Sequence, residues 1–239
     1  MSPWKIKTLS AFYQVAPKRL VFRIHKKMHD EGMRCWGDGP VALLHVPKTA
    51  GTSVGFALGL KDPGHVTLQE LKGLQGSDAS LSLMPVMVVF RDPLDRLVST
   101  LKYAYETYRK KGFSSIQSLY KEVEPGVLEP RYSPRYYQSH FFTRSFSDFL
   151  EGGRGCNVWI VNFNYISVGF ERFCEKAGLD VTVLPELNAS KVDVKVRFPS
   201  GFKEEFLRVY EEDFKIKNKI GSDAIFHFED LFSCVKGGA

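Results

Sequence analysis

Two short apolar runs, residues 41–46 (Val-Ala-Leu-Leu-His-Val) and 85–90 (Pro-Val-Met-Val-Val-Phe), mark the chain's clearest buried strands. Pro47 closes the first, because proline cannot donate to a strand ladder. Each run leads through a short polar segment into a helical pattern. After the first comes the apolar stretch of residues 54–60. After the second, Leu97, Val98, Leu101, Tyr105 and Tyr108 form a stripe at helical spacing in a helix from about Leu94. Between them, Thr67 with Glu70 three residues later is a capping-box pattern and predicts another helix start. Residues 165–169 read as a strand ending at Gly169, followed by a helix through Ala177. Phe206, Leu207, Tyr210 and Phe214 share one face of a closing helix over residues 202–214. Alternating strands and helices predict an α/β fold with a central parallel sheet flanked by helices.

Composition adds little to that picture. The 239 residues suit one domain, and 44% hydrophobic with 25% charged residues is ordinary for a folded soluble protein. No run approaches a membrane span, no signal-peptide pattern opens the chain, and there is no internal repeat. Charge is more telling. Residues 1–34 carry eight Lys/Arg against Asp30 and Glu31, so the whole formal +6 falls there and residues 35–239 are formally neutral. We therefore divide the chain into a basic segment, residues 1–34, and a single domain, residues 35–239. Residues 17–30 read as a basic amphipathic helix with Leu20, Val21, Ile24 and Met28 on one side. Docking on the domain's flank, on a membrane surface or on a polyanion all fit that pattern. The four cysteines, Cys35, Cys156, Cys174 and Cys234, are widely spaced, so buried thiols are expected rather than a metal site.

The chemistry concentrates where the two strands end. Lys48, Thr49, Ala50, Gly51, Thr52 and Ser53 offer one cation, one glycine and three hydroxyls between a strand and a helix start, the makings of an anion site. A Walker A loop is excluded, because Lys48 precedes Gly51 and no glycine precedes it in the loop. At the second strand end, Arg91 offers a planar fork for phosphate, Pro93 opens a helix and Ser99 adds a hydroxyl one turn further on. Arg96 is expected to pair with Asp92 or Asp95 and hold the corner. Two anion sites about forty residues apart suit a nucleotide with phosphate at both ends.

The segment Pro47-Lys-Thr-Ala-Gly-Thr-Ser53 resembles the 5′-phosphosulfate loop of sulfotransferases, and Arg91-x-Pro-x-x-Arg-x-x-Ser99 resembles their 3′-phosphate motif. The likeness is closest to the carbohydrate-type branch, with its heparan and chondroitin enzymes and small bacterial relatives. It implies a P-loop-like three-layer sandwich and sulfuryl transfer from 3′-phosphoadenosine 5′-phosphosulfate (PAPS) to a hydroxyl on a saccharide, without a metal. It also implies Lys48 as the group stabilising the leaving phosphate. Gly64-His65 resembles the glycine-histidine pair whose histidine is the base in heparan 2-O enzymes, which makes His65 the expected base and His140 its rival. Residues 146–150 resemble a short helix of the family, and Leu184-Pro-x-x-Asn-x-Ser190 resembles a signature whose Asn188 has no assigned contact. Without a membrane anchor, the likeness points to a cytoplasmic, bacterial-type enzyme that binds no nucleic acid. Tyr132, Tyr136, Tyr137, Phe141 and Phe142, near Arg131, Arg135, His140 and Arg144, suit an anionic or sugar acceptor, and packing under a long loop equally. An atypical nucleotide kinase and a non-catalytic polyanion binder are the competing readings.

Overall fold

A computed structural model describes residues 40–60, 65–75, 82–111, 119–140, 142–181, 183–185 and 192–232. The chain divides into two units, Met1–Cys35 and Trp36–Ala239, and all described residues belong to the second. The expected basic helix over 17–30, Gly64, Phe141, Asn188, Cys35 and Cys234 lie outside them.

The central four-stranded sheet has the order β1 (Ala42–Leu44), β2 (Val86–Phe90), β5 (Val158–Asn162), β7 (Ile225–His227). β1, β2 and β5 are parallel, with Ala42 opposite Val86 and Val88 opposite Ile160. β7 runs antiparallel to β5, so the sheet is mixed rather than wholly parallel. Every residue of β1 and β2 is buried, as their unbroken apolar runs require when helices cover both faces. On one face, Ala42, Leu44, Val86, Val88, Val158 and Ile160 pack on α2 (Leu68–Gln75), α5 (Phe146–Phe149) and α8 (Glu211–Ile220). On the other, Leu43, Met87, Val89 and Val161 pack on α1 (Gly51–Ala57) and α6 (Ile166–Ala177). The expected α/β sandwich is present in that sense.

A second, three-stranded sheet joins β3 (Tyr120–Glu124), β4 (Val127–Pro130) and β6 (Lys195–Val196). A third core cluster connects it to α3 (Pro93–Lys111) and α7 (Phe202–Val209) through Leu101, Tyr105, Tyr120, Leu128 and Phe206. The chain reaches the first sheet again through α4 (Pro134–Ser139) and α5.

Two expectations are corrected. Residues 165–169 are not a strand: the strand is Val158–Asn162, and Gly169 lies within α6. There a Cβ would come within 2.4 Å of the Ala224 carbonyl oxygen and 2.6 Å of Val161, so the glycine lets the helix close on the sheet. The closing helix is also two helices. The backbone leaves helical geometry at Tyr210, whose buried hydroxyl donates to the Thr143 carbonyl at 2.6 Å.

Candidate anion-binding corner and base

After β1, the chain takes a left-handed turn at two residues that are not glycine, Lys48 (φ 64°) and Ala50 (φ 65°). Each position costs an L-residue about 1–2 kcal/mol, and such strain gathers at ligand clamps. Left-handed residues also build the backbone nests in which successive N–H groups face one anion. The Thr49 side chain is buried and donates to the Val46 carbonyl at 2.9 Å, which pins the turn from inside. Its proton is therefore committed, and only its backbone N–H remains to serve a ligand. Ser53 is buried on α1, Thr52 is exposed and Gly51 opens the helix. With seven residues, α1 contributes little dipole, so the donors and cations of the turn carry the electrostatics.

Gly51 has a steric reason to be glycine. A Cβ there would sit 2.0 Å from Cδ2 of His45 and 2.5 Å from its Nε2. The buried His45 ring fills that space and meets the His65 ring edge-on, with centroids 4.3 Å apart. His65 Nδ1 lies 2.8 Å from the His45 carbonyl oxygen. A carbonyl can only accept, so neutral His65 carries its proton on Nδ1 and its lone pair on Nε2. α2, which follows His65, begins with the expected capping box: Thr67 N–H donates to Glu70 at 2.8 Å, and Glu70 N–H to the Thr67 hydroxyl at 3.1 Å.

At the second corner, Arg91 Nη1 donates to the Lys48 carbonyl at 3.1 Å, and the guanidinium lies over the Phe163 ring at 4.3 Å. The two sequence motifs thus meet in space. Burial and the Arg91 charge both pull the Lys48 pKa below the ordinary lysine range, and burial likewise lowers that of Arg91. Arg91 Nε is buried without a hydrogen-bond partner. Lys48 Nζ sits 4.2 Å above the Tyr103 ring, and Glu106 partly offsets its loss of charge stability. Ser99 is half-buried on α3, one helical turn before Tyr103 and so on the same face.

Arg96 is buried but does not pair with Asp92 or Asp95. It reaches the Thr143 and Arg144 carbonyls and lies 4.0 Å from the buried Asp213. Asp213 in turn accepts the N–H groups of Phe146 and Ser147 at 2.7 and 2.9 Å. Asp92 caps α3 through the N–H groups of Leu94 and Asp95, at 2.8 and 3.2 Å, and pairs with Lys217 at 2.6 Å. Arg96 is therefore structural, as expected, with different partners.

His140 differs from His65 in the partner of Nδ1. There Nδ1 accepts the Phe142 N–H at 3.3 Å, so the neutral ring carries its proton on Nε2. Burial holds its pKa below the ordinary histidine range.

Tyr103, Phe163 and His45, which complete this arrangement, escaped the sequence reading as site residues. Only Tyr103 left a usable signal, four residues after Ser99. Among the described residues no group of three or more His, Cys, Asp or Glu is placed to hold a metal, and no helix is long and apolar enough to cross a membrane.

Comparison with protein-family models returned no significant match, and searches of curated proteins and of solved structures returned none either.

Proposed function

We propose that the chain is a PAPS-dependent sulfotransferase acting on an acceptor hydroxyl carried by a saccharide. The supporting observation is the meeting of Lys48 and Arg91: two cations each destabilised by burial, one further by the other, beside a strained turn and an orphaned buried guanidinium nitrogen. A bound polyanion would stabilise both charges and give Arg91 Nε a partner. The donor set therefore fits the nucleotide. Lys48 and the N–H groups of residues 49–53 would hold its 5′ side, and Arg91 with the Ser99 hydroxyl its 3′-phosphate. The cosubstrate supplies an activated sulfuryl group, whose bond to the 5′-phosphate oxygen breaks as the acceptor oxygen bonds to sulfur. Lys48 stabilises the negative charge that develops on the departing side. Nε2 of His65 takes the acceptor's proton, while Nδ1–H holds the ring against the His45 carbonyl. His140 is less suited to that role, because its Nδ1 lone pair already receives the Phe142 N–H. The P-loop-like character of the sandwich belongs to the same proposal.

The test is ligand-dependent melting. Adenosine 3′,5′-bisphosphate at about a hundred times its Kd stabilises the fold by about 2.7 kcal/mol, and 5′-AMP should do much less. Arg91→Ala should abolish that difference. Equal shifts with both nucleotides would remove the 3′-phosphate site, and a larger shift with ATP and Mg²⁺ would make the protein a kinase instead.

A further inference from the structure

The Lys48 ammonium has an aromatic ring where a carboxylate would be the ordinary partner. Among the described residues it enters no ion pair, and its Nζ lies 4.2 Å from the centroid of the Tyr103 ring. Burial and the Arg91 charge both work against the ammonium, and only the Glu106 carboxylate works for it, through space. Glu106 is itself bonded to Lys110 at 2.5 Å. The turn's own helix, α1, reads Gly-Thr-Ser-Val-Gly-Phe-Ala and brings no further charge. Ser99, Tyr103 and Glu106 follow one another at helical spacing and so share one face of α3, with Lys48 over the middle one. Tyr103 is half-buried and meets the Phe142 ring at 6.1 Å, while its hydroxyl donates to no described residue. What Tyr103 offers Lys48 is therefore the face of its ring.

We infer that Tyr103 is a positioning residue that stands in for a counter-ion, keeping Lys48 in its ammonium form until an anion arrives. The use made of that charge rests on the transferase reading above; the contact between ring and ammonium does not. A carboxylate in this place would hold the ammonium more firmly, but an arriving phosphate would then have to displace it. A ring face stabilises a partly desolvated cation through its quadrupole and carries no charge of its own. The charge is thus preserved in a half-buried place and stays open to the ligand. Because the face does this and not the hydroxyl, phenylalanine serves as well as tyrosine.

The experiment reads Lys48 directly. The full chain is reductively methylated across a range of pH and the Lys48 peptide is followed by mass spectrometry, so that accessibility alters the plateau rate and charge alters the midpoint. Wild type is compared with Tyr103→Phe, with Glu106→Gln, and with two ring-free variants, Tyr103→Leu and Tyr103→Met, in case one of them fails to fold. On the acid side of the midpoint, the plateau-normalised rate should rise about tenfold without the ring, the counterpart of about 1.4 kcal/mol. Tyr103→Phe should match wild type, and Glu106→Gln should shift the midpoint the same way by less. Adenosine 3′,5′-bisphosphate affinity, measured alongside, should match wild type in mildly acidic buffer and fall off at a less alkaline pH in the ring-free variants. A ring that merely packs would alter the melting temperature and leave the midpoint where it was, and that result overturns the proposal. A shift as large in Tyr103→Phe overturns it too, by assigning the effect to the hydroxyl. If wild type binds no nucleotide, the transferase reading fails, while the methylation midpoint still decides whether Tyr103 holds the Lys48 charge.

Discussion

The two corners share one plan, a buried strand leading through a short turn into a helix, yet they are built on opposite physics. The β1 corner holds two non-glycine residues in left-handed geometry, opens a seven-residue helix, and depends on a glycine with a histidine ring in the place of its Cβ. The β2 corner is relaxed. It opens a nineteen-residue helix capped by Asp92, and Arg96 on that helix is tied to two carbonyls and to a buried carboxylate. The anchored corner provides a fixed edge while leaving Arg91 Nε buried without a partner, and the strained one holds the Lys48 turn in costly backbone geometry. Substitutions at the Arg96 and Asp92 anchors of the β2 corner should therefore be felt in stability, and those that touch His65 at the β1 corner in turnover.

The largest effect is expected at the β2 corner. Arg96→Ala leaves Asp213 buried without its cation, and breaking such a pair costs about 3–5 kcal/mol. Urea unfolding should show that loss in the midpoint. A loss below about 1 kcal/mol would mean that Asp213 is held by the Phe146 and Ser147 N–H groups alone and that the corner is not anchored through Arg96.

At the β1 corner the comparison becomes kinetic. His65→Ala should keep nucleotide binding and lower turnover by about 10²–10⁴, the contribution of a positioned base. Wild-type turnover should also fall on the acid side, and His140→Ala should keep that limb. His140 carries a stability signature instead. Its folded pKa lies below the ordinary value, so as pH falls through about 6.5 the unfolded chain takes up the proton first and stability declines. His140→Ala should flatten that slope. If His140→Ala abolished turnover and His65→Ala did not, the base would move to His140.

How much of this was legible depends on whether a signal lay in consecutive residues. β1 and β2 announced themselves because strands buried on both faces are apolar throughout, and the capping box of α2 is local by nature. Lys48, Arg91 and His65 were singled out by sequence pattern; in the structure Arg91 reaches the Lys48 carbonyl and His65 the His45 carbonyl. The second sheet was missed because β3 reads Tyr-Lys-Glu-Val-Glu, charged and exposed along most of its length. The Pro125-Gly126 turn was its only local mark. β5 was missed because Gly169 looked like a strand terminus, whereas its reason is the Ala224 carbonyl across the helix–sheet contact. The Arg96 partner was misread for a similar reason. Asp92 and Asp95 are near in sequence, while Asp213 arrives from another helix.

An intermediate effect is expected at Gly51. In Gly51→Ala the new methyl falls inside the His45 ring, and overpacking of this kind costs about 1–3 kcal/mol. Because His65 rests on the His45 carbonyl and ring, turnover should fall further than the stability loss explains. Thermal melts and turnover on the same sample separate the two. An unchanged turnover would show that the His45–His65 contact does not orient the base.

The smallest effect sharpens the contrast most. Ala50 sits at φ 65° with a Cβ that the left-handed region disfavours, so Ala50→Gly removes strain worth about 1–2 kcal/mol. It also gives the unfolded chain more freedom, which offsets about 0.4–1 kcal/mol of that gain. A net stabilisation of about 1 kcal/mol or less is expected, seen as a small rise in Tm. The matching change at the β2 corner, Asp92→Ala, removes a helix cap and a Lys217 partner and should lose about 1 kcal/mol. Opposite signs from two equally small substitutions would show that one corner stores strain and the other does not. If Ala50→Gly is destabilising, the turn is not strained in the free protein, and the case for a preformed anion nest there falls with it.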